Sequence, residues 1–167
     1  MENLYRSGKT RAIGISNFTT THLTTLLSHA TVKPTINQIE IHPFLPNTLL
    51  VNFCLSNDIL PVAYSPLGSQ HQCPSTGERV LENEILKEIA KEKGVDVAQV
   101  CISWGLQKGW GVLPKSGTRE RIVGNFRTVR LSEGEMERVD GIAEGSGGEK
   151  RFVDLKEVFG FEVFDEE

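Results

Sequence analysis

Three absences narrow the classes of protein to which this chain of 167 residues can belong. No run of about 18 apolar residues occurs, so we expect no transmembrane helix and no membrane partner. The first residues, MENLYRSGKTR, lack the apolar stretch that is typical of a secretory signal. Lys and Arg number 18 against 22 Asp and Glu, and this net charge of −4 does not indicate a basic surface for nucleic acid. Together these absences predict a cytoplasmic protein with no nucleic-acid partner.

Cysteine is also scarce. The three cysteines, Cys54, Cys73 and Cys101, are widely spaced and form no Cys-x-x-Cys pair. This pattern is not typical of a disulfide framework or a zinc site, so we expect reduced thiols and no bound metal. The chain does have 38% hydrophobic and 24% charged residues, which are the proportions of an ordinary soluble protein. Since a domain averages about 150 residues, residues 1–167 are expected to form a single domain.

Short β-rich runs alternate with amphipathic helical runs along the chain. The pattern predicts strands at residues 12–15, 36–40, 61–64 and 110–113. It predicts helices at residues 20–28, 48–56, 82–93, 97–107, 119–126 and 133–143. Because helices connect the successive short strands, we expect parallel βαβ units and an α/β fold.

Several residues mark where these helices begin and end. Gly94 follows a helical run at the position where a left-handed residue ends a helix. Thr118 is a candidate N-cap, and Ser132 with Glu135 forms a capping box. The last segment, residues 151–167, is too apolar for a free tail and is expected to pack on the rest of the protein.

The sharpest candidate site follows the last predicted strand. Lys115, Ser116 and Arg121 surround the start of the helix that Thr118 precedes. Helix N-termini bind anions, and these side chains add cationic and hydroxyl donors, so the segment predicts a phosphate site. A solvated basic loop with an ordinary Thr cap is an equally good interpretation of this segment alone.

Polar side chains also follow the other predicted strands. The Ser16 hydroxyl and the Asn17 amide suit a neutral carboxamide, and Tyr64 offers a face for stacking. Gln38 places an amide in an otherwise apolar strand, which is costly unless the amide is hydrogen-bonded. The alternatives are a turn with a helix cap, a side chain at a wet rim, and a core aromatic residue. All these residues lie at the carboxyl ends of successive strands, which is the functional face of a parallel barrel.

Four segments resemble the aldo-keto reductase family in order and spacing. They are AIGISNF at residues 12–18, NQIE at 37–40 followed by His42-Pro43, AYSPLGS at 63–69, and LPKS at 113–116. The resemblance implies the last four strands of a (β/α)8 TIM barrel, with the C-terminal helix and tail. It also implies an NADP(H)-dependent oxidoreductase that acts on small carbonyl or polyol substrates. The tail resembles those of fungal glycerol dehydrogenases and aldehyde reductases.

The resemblance assigns a role to each candidate residue. Ser16, Asn17 and Gln38 would hold the nicotinamide carboxamide, and Tyr64 would stack on the nicotinamide ring. Ser65, Leu67 and Ser69 would line the pyrophosphate. Lys115, Ser116 and Arg121 would bind the 2′-phosphate, and Asn125 would contact adenine. Gly124 and His71 depart from the family pattern.

The motifs that carry the family's catalytic Asp, Tyr, Lys and His do not occur here. Neither Tyr5, in a helix-like segment, nor Tyr64 matches the proton donor, and His42 is expected at the rim. We therefore expect an enzyme by resemblance whose chain, taken alone, carries the cofactor site without turnover. A non-catalytic NADP-binding or assembly module and an inactive fragment remain as alternatives. Open barrel edges would favour self-association.

Overall fold

The computed structural model describes residues 1–69, 77–153, 156, 160, 163 and 164. Among these residues the strands are β1 (Ile15–Ser16), β2 (Ile36–Ile39), β3 (Leu60–Ala63) and β4 (Gly111–Val112). The helices are α1 (Glu2–Arg6), α2 (Thr20–His29), α3 (Thr48–Ser56), α4 (Glu84–Lys93), α5 (Val97–Gln107), α6 (Arg119–Gly124), α7 (Glu133–Asp140) and α8 (Ile142–Gly145). A 3₁₀ turn at Val80–Glu82 precedes α4. None of the helices among these residues is long and apolar enough to cross a membrane.

The described strands form one parallel sheet in the order β1-β2-β3-β4. In the β1–β2 pair, Ile15 lies opposite Asn37 and Ser16 lies opposite Gln38. Helical connections separate each strand from the next, as the alternating sequence pattern predicts. The predicted α/β class with four parallel strands is therefore confirmed.

The element boundaries differ from the predictions at several ends. The first strand covers only Ile15–Ser16 instead of residues 12–15, and the last covers Gly111–Val112 instead of 110–113. Helix α4 begins later than predicted because Asn83 accepts a hydrogen bond from Leu86 N (3.3 Å) and so caps the helix. Thr118 lies at the N-cap of α6 but its hydroxyl makes no capping bond, so that part of the prediction is wrong. Ser116 Oγ accepts from Thr118 N instead (3.3 Å).

The chain divides into two compact units, and the first contains Met1–Ile39 and Thr48–Val62. Its core is built from the fully buried Leu23, Cys54 and Ile59. The buried Asn37 ties β2 to the turn after β1, because its Nδ2 donates to Phe18 O (2.9 Å). Gly14 allows close approach here, since a Cβ atom at this position would lie 2.5 Å from Ile36 Cγ1.

The second unit contains Glu40–Asn47 and Ala63–Asp154. Helix α5 is its central element, and the buried Trp104 packs edge-to-face on Trp110 (ring centroids 4.8 Å apart). Trp104 Nε1 donates to Asp140 Oδ1 (2.8 Å), which joins α5 to α7. As predicted, Gly94 ends α4 in the left-handed region (φ 66°), and Ser132 with Glu135 forms the capping box of α7.

Candidate cofactor site

The residues predicted to bind a carboxamide come together in the first unit. Ser16 Oγ donates to the main-chain oxygen of Gln38 (2.8 Å), and Asn17 N donates to the same oxygen (3.0 Å). The β1–β2 register therefore brings Ser16, Asn17 and Gln38 to one place. Of the two amides on β2, Asn37 is buried and Gln38 is half-buried, so the Gln38 side chain keeps access to the surface.

Asn17 has an unusual backbone conformation and a buried side-chain oxygen without a donor among the described residues. Its backbone lies in the left-handed region (φ 58°), which non-glycine residues seldom adopt outside special sites. Its side-chain oxygen Oδ1 is buried and accepts no hydrogen bond from any residue that the structure describes. A buried acceptor without a donor is costly. The amino group of a carboxamide would supply the missing donor.

The Tyr64 segment follows β3 in the second unit. A turn bonds Gly68 N to Ser65 O (2.9 Å), and Gly68 adopts φ 69°. Tyr64, Ser65, Leu67 and Ser69 are all half-buried. The structure thus places these four predicted residues along one short loop, from 64 to 69.

Tyr64 is a neutral phenol in this environment. Burial raises the pKa of Tyr64 well above its ordinary value, the Glu40 carboxylate raises it further, and Arg151 acts in the opposite direction. The hydroxyl is buried without a hydrogen-bond partner among the described residues. These properties suit a ring used for stacking, since the phenol keeps its proton.

The residues predicted to bind a phosphate follow β4, which lies next to β3 in the sheet. Leu113 N donates to Ala63 O (2.9 Å), so the segments that follow β3 and β4 leave the sheet side by side. Lys115 and Arg121 are exposed, and neither forms an ion pair with a described residue. Asn125 ends α6 and bonds through its N–H to Arg121 O (2.8 Å).

The eleven predicted site residues are thus divided between the two units. Ser16, Asn17 and Gln38 belong to the first, and the other eight belong to the second. Of the two departures from the family pattern, His71 lies outside the described residues, as does Cys73. Gly124 is half-buried, and its carbonyl accepts from Gln99 Nε2 (2.9 Å). Gln99 and Gly124 border a cleft of about 610 Å³, and none of the predicted site residues line this cleft.

The sequence analysis missed a buried charged cluster around Glu40. The prediction that His42 lies at the rim is wrong, because its side chain is fully buried (0% exposed). His42 Nε2 lies 3.0 Å from Glu40 Oε1, and Glu40 is fully buried as well. The alternation of Glu40 and His42 after β2 was the available signal, since residues two apart in an extended chain face the same side.

Comparisons with known proteins agree with this architecture. The model of the "Aldo/keto reductase family" matches residues 1–144. The chain is 52% identical over 167 residues to the glycerol 2-dehydrogenase (NADP(+)) of Hypocrea jecorina, covering 100% of this chain and 52% of that protein. It is 43% identical over 155 residues to the enzyme of that name from Saccharomyces cerevisiae, covering 92% of this chain and 47% of that protein.

A solved structure shows the same fold. The aldose reductase from Giardia lamblia superposes with a TM-score of 0.88 at 38% identity, covering 99% of this chain and 54% of that one. The chain thus spans about half the length of the relatives that it matches, which is consistent with the predicted partial TIM barrel. On the family match over residues 1–144 and on these likenesses, the chain belongs to the aldo/keto reductase family.

Proposed function

We propose that this chain carries the cofactor-binding portion of an NADP(H)-dependent oxidoreductase that interconverts small aldehydes or ketones and their alcohols. Membership of the family supports the oxidoreductase class. Two relatives are named as glycerol dehydrogenases that use NADP(+), which supports a small carbonyl or polyol substrate for the complete enzyme.

One observation carries the proposal. Asn17 is held at φ 58° by the Gln38 main chain, with a buried Oδ1 that has no donor among the described residues. A local fold that fixes an amide in a strained conformation and leaves its oxygen unpartnered is organised for an incoming donor. The nicotinamide carboxamide is a donor of that chemistry, so the residues present fit the cofactor.

The other predicted residues would hold the rest of the cofactor. Lys115 and Arg121, which form no ion pair with a described residue, and the Ser116 hydroxyl would bind the 2′-phosphate, and the Asn125 amide would contact adenine. The hydroxyls of Ser65 and Ser69, with Leu67, would line the pyrophosphate, and the neutral Tyr64 ring would stack on the nicotinamide. Bound NADPH supplies a hydride, and the role of these side chains is to orient it.

The chain taken alone is proposed to bind NADP(H) without turnover. It contains two tyrosines. Tyr5 is an exposed residue of α1, and the raised pKa of Tyr64 makes its phenol a poor proton donor. Carbonyl reduction needs an acid within reach of the carbonyl oxygen. Purified chain mixed with NADPH and a generic aldehyde should therefore show no carbonyl-dependent loss of absorbance at the NADPH band, and clear oxidation would contradict this part of the proposal.

The Asn17→Gly variant tests the carboxamide assignment. Glycine accepts the left-handed backbone without strain, so the fold should be retained while the amide is lost. We expect the Kd of NADPH to rise about three- to tenfold, which corresponds to one neutral hydrogen bond. The Kd of adenosine 2′,5′-bisphosphate, which lacks nicotinamide, should not change. Fluorescence titration measures both.

A matched control comes from the same unit. Asp58 has the same backbone conformation (φ 54°) and is exposed, with its carboxylate paired to Lys33. Asp58→Gly should leave both Kd values unchanged. If Asn17→Gly binds NADPH as tightly as the wild type, or loses both ligands equally, the carboxamide assignment is wrong.

We also propose that two copies associate through four exposed apolar residues of the second unit, which we propose form one apolar patch. They are Leu113, which follows the edge strand β4, and three residues in and just after α6: Ile122, Val123 and Phe126. Their exposed fractions run from 47% for Ile122 to 86% for Phe126. Exposed apolar groups and open sheet edges both favour association.

A further inference from the structure

Besides its contact with His42, the Glu40 carboxylate accepts hydrogen bonds from one short and distant segment of the same unit. Its Oε1 accepts from Phe152 N (2.8 Å) and Val153 N (3.1 Å), and its Oε2 lies 3.4 Å from the Arg151 guanidinium. Glu40 is fully buried, so these donors replace the water that the charge has lost. A single buried carboxylate therefore binds the main chain of residues 152 and 153 and the side chain of Arg151.

The Phe152 side chain connects residues 151–153 to the loop that contains Tyr64. Its ring is buried and packs on His42, with ring centroids 4.4 Å apart. Its edge closes against Gly68, where a Cβ atom would lie 3.2 Å from Phe152 Cε2 and 2.8 Å from Val80 Cγ2. Phe152 and Val80 thus form the wall behind Gly68, in the middle of the loop proposed to line the pyrophosphate.

An ion pair also links the segment that contains Phe152 to the segment that contains Val80. Lys150 forms an ion pair with Glu78, two residues before Val80. The Lys150 main-chain N–H donates to Phe44 O (2.7 Å). The segment from Lys150 to Val153 is therefore held at both ends, by Glu78 at its start and by Glu40 at its end.

We propose that Glu40 is a positioning residue for the cofactor. By holding residues 151–153, it keeps Phe152 against Gly68 and so fixes the loop from Ser65 to Ser69 around the pyrophosphate. The function of the contact is to slow the release of bound NADP(H). This inference rests on the proposed function, because it requires that the loop contacts the cofactor.

The Glu40→Gln variant tests the positioning role of Glu40 through amide exchange, the NADPH dissociation rate and the affinity for a cofactor fragment. The neutral amide keeps the shape of the side chain but loses the charge-assisted acceptors, so the N–H groups of residues 152 and 153 should exchange with solvent faster. The NADPH dissociation rate, measured by stopped-flow fluorescence, should rise about tenfold, the effect of one charge-assisted hydrogen bond. The Kd of adenosine 2′,5′-bisphosphate, which lacks the second phosphate of the pyrophosphate and the nicotinamide half, should stay within about twofold.

A second variant guards against failure of Glu40→Gln to fold. Glu78→Gln breaks the ion pair with Lys150 without touching the buried carboxylate, and it should raise the NADPH dissociation rate in the same direction by a smaller factor. The matched control is Glu84→Gln, which removes the same charge from the exposed pair with Lys87 and should change nothing.

The outcomes separate this inference from the proposed function. Folded Glu40→Gln with faster exchange at residues 152 and 153 but an unchanged NADPH dissociation rate would overturn the positioning role alone. If Glu40→Gln is unfolded, an unchanged rate in Glu78→Gln has the same meaning. A wild-type chain that binds neither NADPH nor adenosine 2′,5′-bisphosphate would overturn the proposed function and this inference with it.

Discussion

At the scale of single side chains, Lys115 and Arg121 differ from several cations of the same unit that form ion pairs. Lys93, Lys108 and Arg138 are paired with Glu135, Asp140 and two glutamates of α4 respectively. Lys115 and Arg121 have no such partner among the residues that the structure describes. Two cations without an ion pair to any described residue attract an anion with a large charge, and the 2′-phosphate that distinguishes NADP from NAD is such a group.

This predicts the effect of removing either cation. In Lys115→Ala and Arg121→Ala, the preference for NADP over NAD should fall about tenfold or more for each contact, because each charge-assisted hydrogen bond contributes about 1.5–3 kcal/mol. Isothermal titration with both nucleotides measures the preference. Arg119 at the start of α6 also has no ion pair among the described residues but is not a predicted phosphate ligand, so Arg119→Ala is the control and should leave the ratio unchanged. Equal loss of NADP and NAD affinity in the two test variants would refute the assignment.

The same scale shows which site residues a sequence reveals. Lys115, Ser116 and Arg121 are candidates on sequence alone because their grouping is local: a strand end, a basic turn and a helix start follow one another. The contacts of Glu40 with residues 151–153 could not be predicted, since these donors lie 111 to 113 positions away along the chain. A buried charge looks like an exposed one in a sequence, and only the fold shows which donors compensate it.

At the scale of elements, Glu2 ties α1 to the segment after α2. Its carboxylate accepts hydrogen bonds from Thr31 N (2.7 Å) and Val32 N (3.0 Å), besides the Thr31 hydroxyl. The Thr31 hydroxyl contributes most, and together these bonds lower the pKa of Glu2 from 4.5 to about 2. They stabilise the charged form in the folded protein only.

The lowered pKa of Glu2 determines how its contribution to stability depends on pH. Because the folded pKa is depressed, the contribution of Glu2 is fully present above pH 4.5 and is lost as pH falls toward about 2. We expect Glu2→Gln to be less stable than the wild type at pH 7, and to lose less stability between these two pH values. Urea denaturation at several pH values measures this. Glu84→Gln, at an exposed pair, serves as control, and parallel stability curves for Glu2→Gln and the wild type would contradict the prediction.

Element boundaries show why periodicity predicts helices better than their ends. The span of α3 was predicted to the residue because its apolar stripe and its ends coincide. Helix α4 starts two residues later than its apolar pattern suggests, since the Asn83 cap fixes the first turn. The two-residue strands β1 and β4 are shorter than their apolar runs, because strand length is determined by the neighbouring strand and not by local sequence.

At the scale of the whole molecule, the sheet has β1 at one edge and β4 at the other. The proposed apolar patch contains Phe126, which is 86% exposed, and Val123, which is 51% exposed. Complete burial of an exposed apolar side chain contributes about 1.5–3 kcal/mol, and the half-buried Val123 would contribute less. These exposed side chains are the basis of the proposal that a second copy of the chain binds here.

The prediction is that the wild-type chain forms dimers at micromolar concentration. Phe126→Asp and Val123→Asp should each weaken the dimer at least tenfold, because a charge replaces an apolar contact. Sedimentation equilibrium over a range of concentrations measures the constant. Leu49→Asp is the matched control, since Leu49 is 71% exposed on α3 and outside the patch. A wild-type chain that stays monomeric throughout would exclude self-association, and equal weakening by Leu49→Asp would mean that the interface lies elsewhere.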